Sequence, residues 1–130
     1  MEKTKIMEKN KKILLVEDDE DFLSILQVKF TSEGFTVVTA KNGEEGILVA
    51  EKEKPDLIFS DVLMPKVNGI EMAEKIKAAN KDVPIIFLTN MKEIDYIKGV
   101  EGSGELEQLI KSSMSIKEII DKAKNKLGIN

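Results

Sequence analysis

At 130 residues the chain has the length of one domain, large enough to bury a core without disulfide or metal staples. Cysteine and histidine are absent and all 20 basic residues are lysine, which excludes a disulfide framework, zinc held by nitrogen or sulfur, a Ser-His-Asp triad and arginine fingers. With 42% apolar and 34% charged residues and a net charge of −4, the chain reads as globular and without the basic face of a nucleic-acid binder. Any metal it holds must be bound by oxygen, as magnesium, manganese and calcium are.

Residues 1–11 read as a polar N-terminal tail and residues 12–128 as the domain. Five lysines and two glutamates within residues 1–12 give a local charge of +3 and leave −7 for the remainder. No apolar face accompanies these lysines, so the segment reads as a solvated arm rather than a membrane or nucleic-acid anchor. No stretch approaches the ~18 apolar residues of a membrane span, and no signal-peptide pattern is present. The expectation is a cytoplasmic protein with no membrane and no nucleic-acid partner.

The apolar run Ile13-Leu14-Leu15-Val16 stops at five acids, Glu17 to Asp21. Phe22, Ile25, Leu26 and Phe30 then recur at helical spacing, and Gly34 supplies a C′ stop. Phe35 to Ala40 predicts a second strand, and residues 43–53 a poorer helix because Gly43 and Gly46 lie inside it. Leu57-Ile58-Phe59 is the third strand, followed by a helical face of Ile70, Ala73 and Ile76. Ile85 to Leu88 is the fourth, and Ile94, Ile97 and Val100 mark a short helix ending before Gly102. Leu106 to Ile110 is a weaker fifth strand. The last helix is the best defined, with a Ser115–Glu118 capping box and Ile116, Ile119, Ile120, Ala123 and Leu127 on one side. Strand runs that are apolar on both faces suit a parallel sheet covered on both sides. Five strands alternating with five helices predict an open, doubly wound α/β domain.

In such sheets ligands bind beyond the carboxyl ends of the strands. There the sequence places Glu17, Asp18 and Asp19 after the first strand, Ser60 and Asp61 after the third, Thr89 and Asn90 after the fourth, and Lys111 and Ser112 after the fifth. Carboxylates brought together repel and need a cation to stay ionised, so a divalent metal plus Lys111 is the economical arrangement. A carboxylate nucleophile, a metal, a hydroxyl and a lysine make a phosphoryl-transfer site. Taken singly, each feature has an ordinary reading: helix-capping acids after the first strand, a strand-end Asp or Thr, a snorkelling lysine, and loop punctuation at Pro65 and Gly69. Their coincidence at consecutive strand ends favours the chemical reading.

At these residues the chain resembles the receiver domain of two-component response regulators, of the stand-alone, single-domain type. The match is carried by Ile13-Leu14-Leu15-Val16-Glu17-Asp18-Asp19, by Pro55 to Pro65 with Gly69, by Pro84-Ile85-Ile86-Phe87-Leu88-Thr89, and by Leu109-Ile110-Lys111, and it covers residues 12–127. The resemblance implies a flavodoxin-like sheet in the order 2-1-3-4-5. It implies Asp61 as phosphoacceptor, Asp18 as the main metal-binding acid with Glu17 as its partner, and the Leu63 backbone carbonyl as a further ligand of Mg2+, or of Mn2+. Thr89 would hydrogen-bond the phosphoryl group and Lys111 would pair with it. The donor would be a histidine kinase or a histidine phosphotransfer protein. The signal would pass to a downstream protein target through the fourth helix, fifth strand and fifth helix.

Asn90, Gln108 and Ser112 stand where the family usually has a small residue, an aromatic and a proline. They leave the phosphoryl chemistry intact and bear on the readout, through the switch positions Thr89, Asn90 and Gln108. Gln108 is expected to stay partly solvated, and the Lys111–Ser112 peptide to be trans. The resulting expectation is a signalling domain, not classed as an enzyme, that promotes only its own phosphorylation and dephosphorylation. A binding module that signals without phosphorylation is the first alternative. A magnesium-dependent phosphatase is the second, disfavoured because Leu63 stands where such enzymes carry a second Asp.

Overall fold

The computed structural model describes residues 11–64, 66–89, 114–129 and the backbone of strand 107–110. The tail through residue 10, Asn90, the helix expected at 94–100, Lys111 with its Lys111–Ser112 peptide and the Gln108 side chain lie outside the described residues.

Strands β1 (Lys12–Val16), β2 (Thr36–Ala40), β3 (Leu57–Ser60), β4 (Ile85–Thr89) and β5 (Glu107–Ile110) form one parallel sheet in the order β2-β1-β3-β4-β5. Four helices occur among the described residues: α1 (Glu20–Ser32), α2 (Gly43–Glu53), α3 (Gly69–Ala79) and α4 (Ile116–Leu127), the last being the fifth helix expected from sequence.

Alternate strand residues feed two cores, because successive side chains of a strand point to opposite faces. Leu14, Val16, Ile58, Ile85 and Phe87 pack with Ala50 of α2 and with Ile70, Met72, Ala73 and Ile76 of α3. Ile13, Leu15, Leu57, Phe59, Ile86 and Leu88 pack with Leu23, Leu26 and Phe30 of α1 and with Ile119, Ile120 and Ala123 of α4. Strands β1, β3 and β4 are therefore buried on both faces, which is why their sequences read as continuous apolar runs rather than alternating ones.

One helical face differs from its sequence reading. On α1 the buried stripe is Leu23, Leu26 and Phe30, while Ile25 is 54% exposed. Leu26→Ala is accordingly expected to cost about 2–5 kcal/mol of stability and Ile25→Ala less than about 0.5; chemical denaturation of the two variants separates these outcomes.

Local capping residues form the helix ends, at α4 and at the end of α1 as expected from sequence. Ser115 and Glu118 make a reciprocal capping box at α4, and Asn68 and Glu71 make a second at α3. Gly34, at φ 100°, follows the α1 C-cap and turns the chain back into β2. At the far end of the sheet, Lys12 Nζ lies 3.0 Å from Glu53 Oε1. The hydrogen bond from Lys12, and then its charge, hold the Glu53 carboxyl below the ordinary carboxylate value. That contribution to stability is complete above the ordinary carboxylate range and is lost as pH falls through the lowered value.

Candidate metal centre at the strand ends

Parallel register brings the acids together. Val16 pairs with Ala40 on one side and with Ser60 on the other, so Glu17 and Asp61 leave the sheet at the same level. The ladder continues one residue past the strands: Glu17 N–H donates to the Ala40 carbonyl at 3.0 Å, and Asp61 N–H to the Val16 carbonyl at 2.9 Å. Carboxylate oxygens of Glu17, Asp18 and Asp61 lie within 4.8 Å of one another, the first and third buried and the second exposed.

Glu17 is 2% and Asp61 6% exposed. Asp61 Oδ1 accepts the Val62 N–H at 2.8 Å, and the Ser60 hydroxyl donates to the Asp61 carbonyl at 2.7 Å. Glu17 Oε2 accepts the Asp19 N–H at 3.1 Å. Asp19 faces the other way, its Oδ1 accepting the N–H groups of Asp21 and Phe22 as the N-cap of α1. The acidic run thus divides: Asp19 does the capping that its position suggests, while Glu17 and Asp18 join Asp61.

Close backbone packing sets the turn after β3. Gly69 N–H donates to the Val62 carbonyl at 2.7 Å, and a Cβ at Gly69 would overlap the Asp61 carbonyl oxygen. Gly69 is thus a packing requirement beneath the acid cluster and not loop punctuation. Leu63 lies two residues beyond Asp61 with its side chain 45% exposed. Thr89 closes β4, fully buried, and pairs in register with Ile110, the residue before Lys111.

A set of three carboxylates, two of them buried, suits a hard cation with oxygen ligands and no thiol or imidazole competitor. The carboxylate set fits Mg2+, which is usually bound through one or two carboxylates with water and phosphate oxygens completing its shell. Sequence reasoning did not single out Asn68, although the Asn68-x-x-Glu71 capping pattern is a local signal that could have found it, nor the tight approaches of Gly43 and Gly46, which depend on contacts between elements far apart in the chain.

No helix among the described residues is long and apolar enough to cross a membrane. Among curated relatives, the alkaline phosphatase synthesis transcriptional regulatory protein PhoP of Bacillus subtilis is 43% identical over 93 residues, which is 71% of this chain and 39% of that protein. The probable transcriptional regulator ycf27 of Pyropia yezoensis is 44% identical over 69% of this chain and 37% of its own. The chain thus spans under two fifths of the length of these relatives. Among solved structures, the response regulator protein TrrA of Thermotoga maritima, in complex with Mg2+-BeF, is 31% identical with a TM-score of 0.76, covering 90% of this chain and 98% of that one. The parallel sheet, the acids at its strand ends and the match of residues 13–124 to the response regulator receiver domain model converge: the chain belongs to the receiver domain family of two-component response regulators.

Proposed function

We propose that the domain is a phosphoryl-accepting switch in which Asp61 takes the phosphoryl group from a phosphohistidine on a partner kinase or phosphotransfer protein. The observation that carries this reading is the convergence of the Glu17, Asp18 and Asp61 carboxylates within 4.8 Å at the ends of β1 and β3. In the transfer, an Asp61 oxygen forms a bond to phosphorus as the partner's N–P bond breaks. The electron pair of that bond stays on the imidazole, which takes up a proton. Bound magnesium would neutralise charge on the phosphoryl oxygens.

Glu17, Asp18, Asp61 and the Leu63 carbonyl are the residues proposed to hold the metal. The Val62 N–H already fixes the rotamer of the Asp61 carboxylate, so the nucleophile is oriented before a donor arrives. Thr89 is proposed to hydrogen-bond the transferred group and Lys111 to pair with its charge. Output through the face of the helix expected at 94–100, β5 and α4, in the cytoplasm and by protein contact, completes the proposal. The relatives named as transcriptional regulators support a place in signalling.

Incubation with Mg2+ and acetyl phosphate, followed by intact-mass spectrometry, tests the function. A single adduct of one phosphoryl group is the expected result. No adduct would point to a module that signals without phosphorylation, and continuous release of phosphate over many turnovers to a phosphatase.

A further inference from the structure

We propose that Gly43 is a positioning residue for the metal centre: the first turn of α2 bears on the Val67 carbonyl and thereby sets the β3–α3 connection, the segment that contains Leu63, whose carbonyl is a proposed ligand. The proposal rests on the reading of Glu17, Asp18, Asp61 and Leu63 as the metal-binding set.

The connection is anchored at both ends near the site. At its start, Val62 N–H is held by Asp61 Oδ1. At its end, Gly69 N–H returns to the Val62 carbonyl, and Asn68 caps α3. Between these anchors α2 leans on it. A Cβ built on Gly43 would overlap the Val67 carbonyl oxygen and lie 2.7 Å from its carbon and 3.0 Å from its Cβ. The nearest obstacle is a peptide group, which no rotamer change can move aside, so an added methyl must displace the connection or the helix.

Three further observations isolate this contact. Gly43 is not among the positive-φ residues, so backbone conformation does not require glycine there, and the close approach does. The neighbouring Glu44–Lys66 pair, at 3.7 Å, has both side chains more than half exposed and contributes little to the docking. A Cβ built on Gly46, one turn along the same helix, would meet Met72 Sδ at 2.6 Å, the flexible end of a side chain that can swing away, and the Val16 methyls at 3.3 and 3.4 Å, side-chain contacts that a few tenths of an ångström relieve. Of the two glycines, only Gly43 presses on backbone that leads to the site.

Calorimetric titration of the purified domain with Mg2+ tests the proposal, with thermal unfolding recorded for every variant. Gly43→Ala is expected to weaken Mg2+ binding about tenfold, the size of effect seen when outer-shell supports of a metal site are altered. Gly46→Ala and Leu26→Ala are expected to bind Mg2+ as the parent does, although Leu26→Ala lowers stability. Parental Mg2+ affinity in Gly43→Ala, or an equal loss in Leu26→Ala, overturns the inference. Should Gly43→Ala fail to fold, Asn42→Ala decides. It removes the 2.8 Å cap to Glu45 N–H, loosens the same turn, and is expected to weaken binding about threefold; unchanged affinity in Asn42→Ala again overturns it. A parent protein that does not bind Mg2+ refutes the metal assignment itself, which is a different failure.

Discussion

Asp61→Asn is expected to abolish the phosphoryl adduct while leaving the domain folded. The amide keeps an oxygen that can accept the Val62 N–H now bound by Asp61 Oδ1, and the backbone bonds of residue 61 to Val16 and Ser60 do not involve the side chain. What disappears is the anionic nucleophile. Removing one of three clustered negative charges also relieves repulsion with Glu17 and Asp18, so in the absence of metal the variant is expected to unfold at the same temperature as the parent or higher. Mass spectrometry after acetyl phosphate treatment reads the first effect and calorimetry the second. Peptide mapping that places the phosphoryl group of the parent on Asp18 or Asp19 would refute the assignment.

Asp18→Ala is expected to abolish magnesium-dependent phosphorylation, because it removes a proposed ligand of the metal and not an outer support of one. Asp18 is the exposed member of the cluster, between two buried acids, so its loss opens no cavity in the core. The variant is therefore expected to retain its fold and lose its metal response, measured as the rate of adduct formation across a magnesium titration. Parental rates in Asp18→Ala would place the metal elsewhere.

The parts legible in the sequence were those governed by burial on both sides or by local hydrogen bonds. The runs of β1, β3 and β4 were the most readable because a strand covered on both faces cannot hide its apolar residues. The α4 cap was readable because Ser115 and Glu118 satisfy each other three residues apart. The buried face of α1 was harder: Phe22, Ile25, Leu26 and Phe30 and the observed Leu23, Leu26 and Phe30 are both good helical stripes sharing two residues. Only packing against the sheet selects between them. The glycines of α2 read as weakness from composition, since glycine disfavours helix. In the fold they mark where the helix comes closest to Val67 and Met72, a contact with no local signature. The acids were legible as a cluster by the strand-end rule, but that rule alone does not divide them into a cap and a site; the family resemblance singled out Glu17 and Asp18, and the structure sets Asp19 apart as the N-cap of α1.

The ladder bonds from Glu17 N–H to Ala40 and from Asp61 N–H to Val16 have a dynamic consequence. Loops usually open at little free-energy cost, whereas a backbone clamped into a central sheet opens only when that sheet comes apart. The backbones of Glu17 and Asp61 are thus tied into the sheet although their side chains line its rim, and their N–H groups are expected to exchange more slowly than those of the loops. The backbone positions from which these carboxylates project are held by the sheet, so on the reading proposed above the rearrangement that reports phosphorylation is expected in segments outside this ladder.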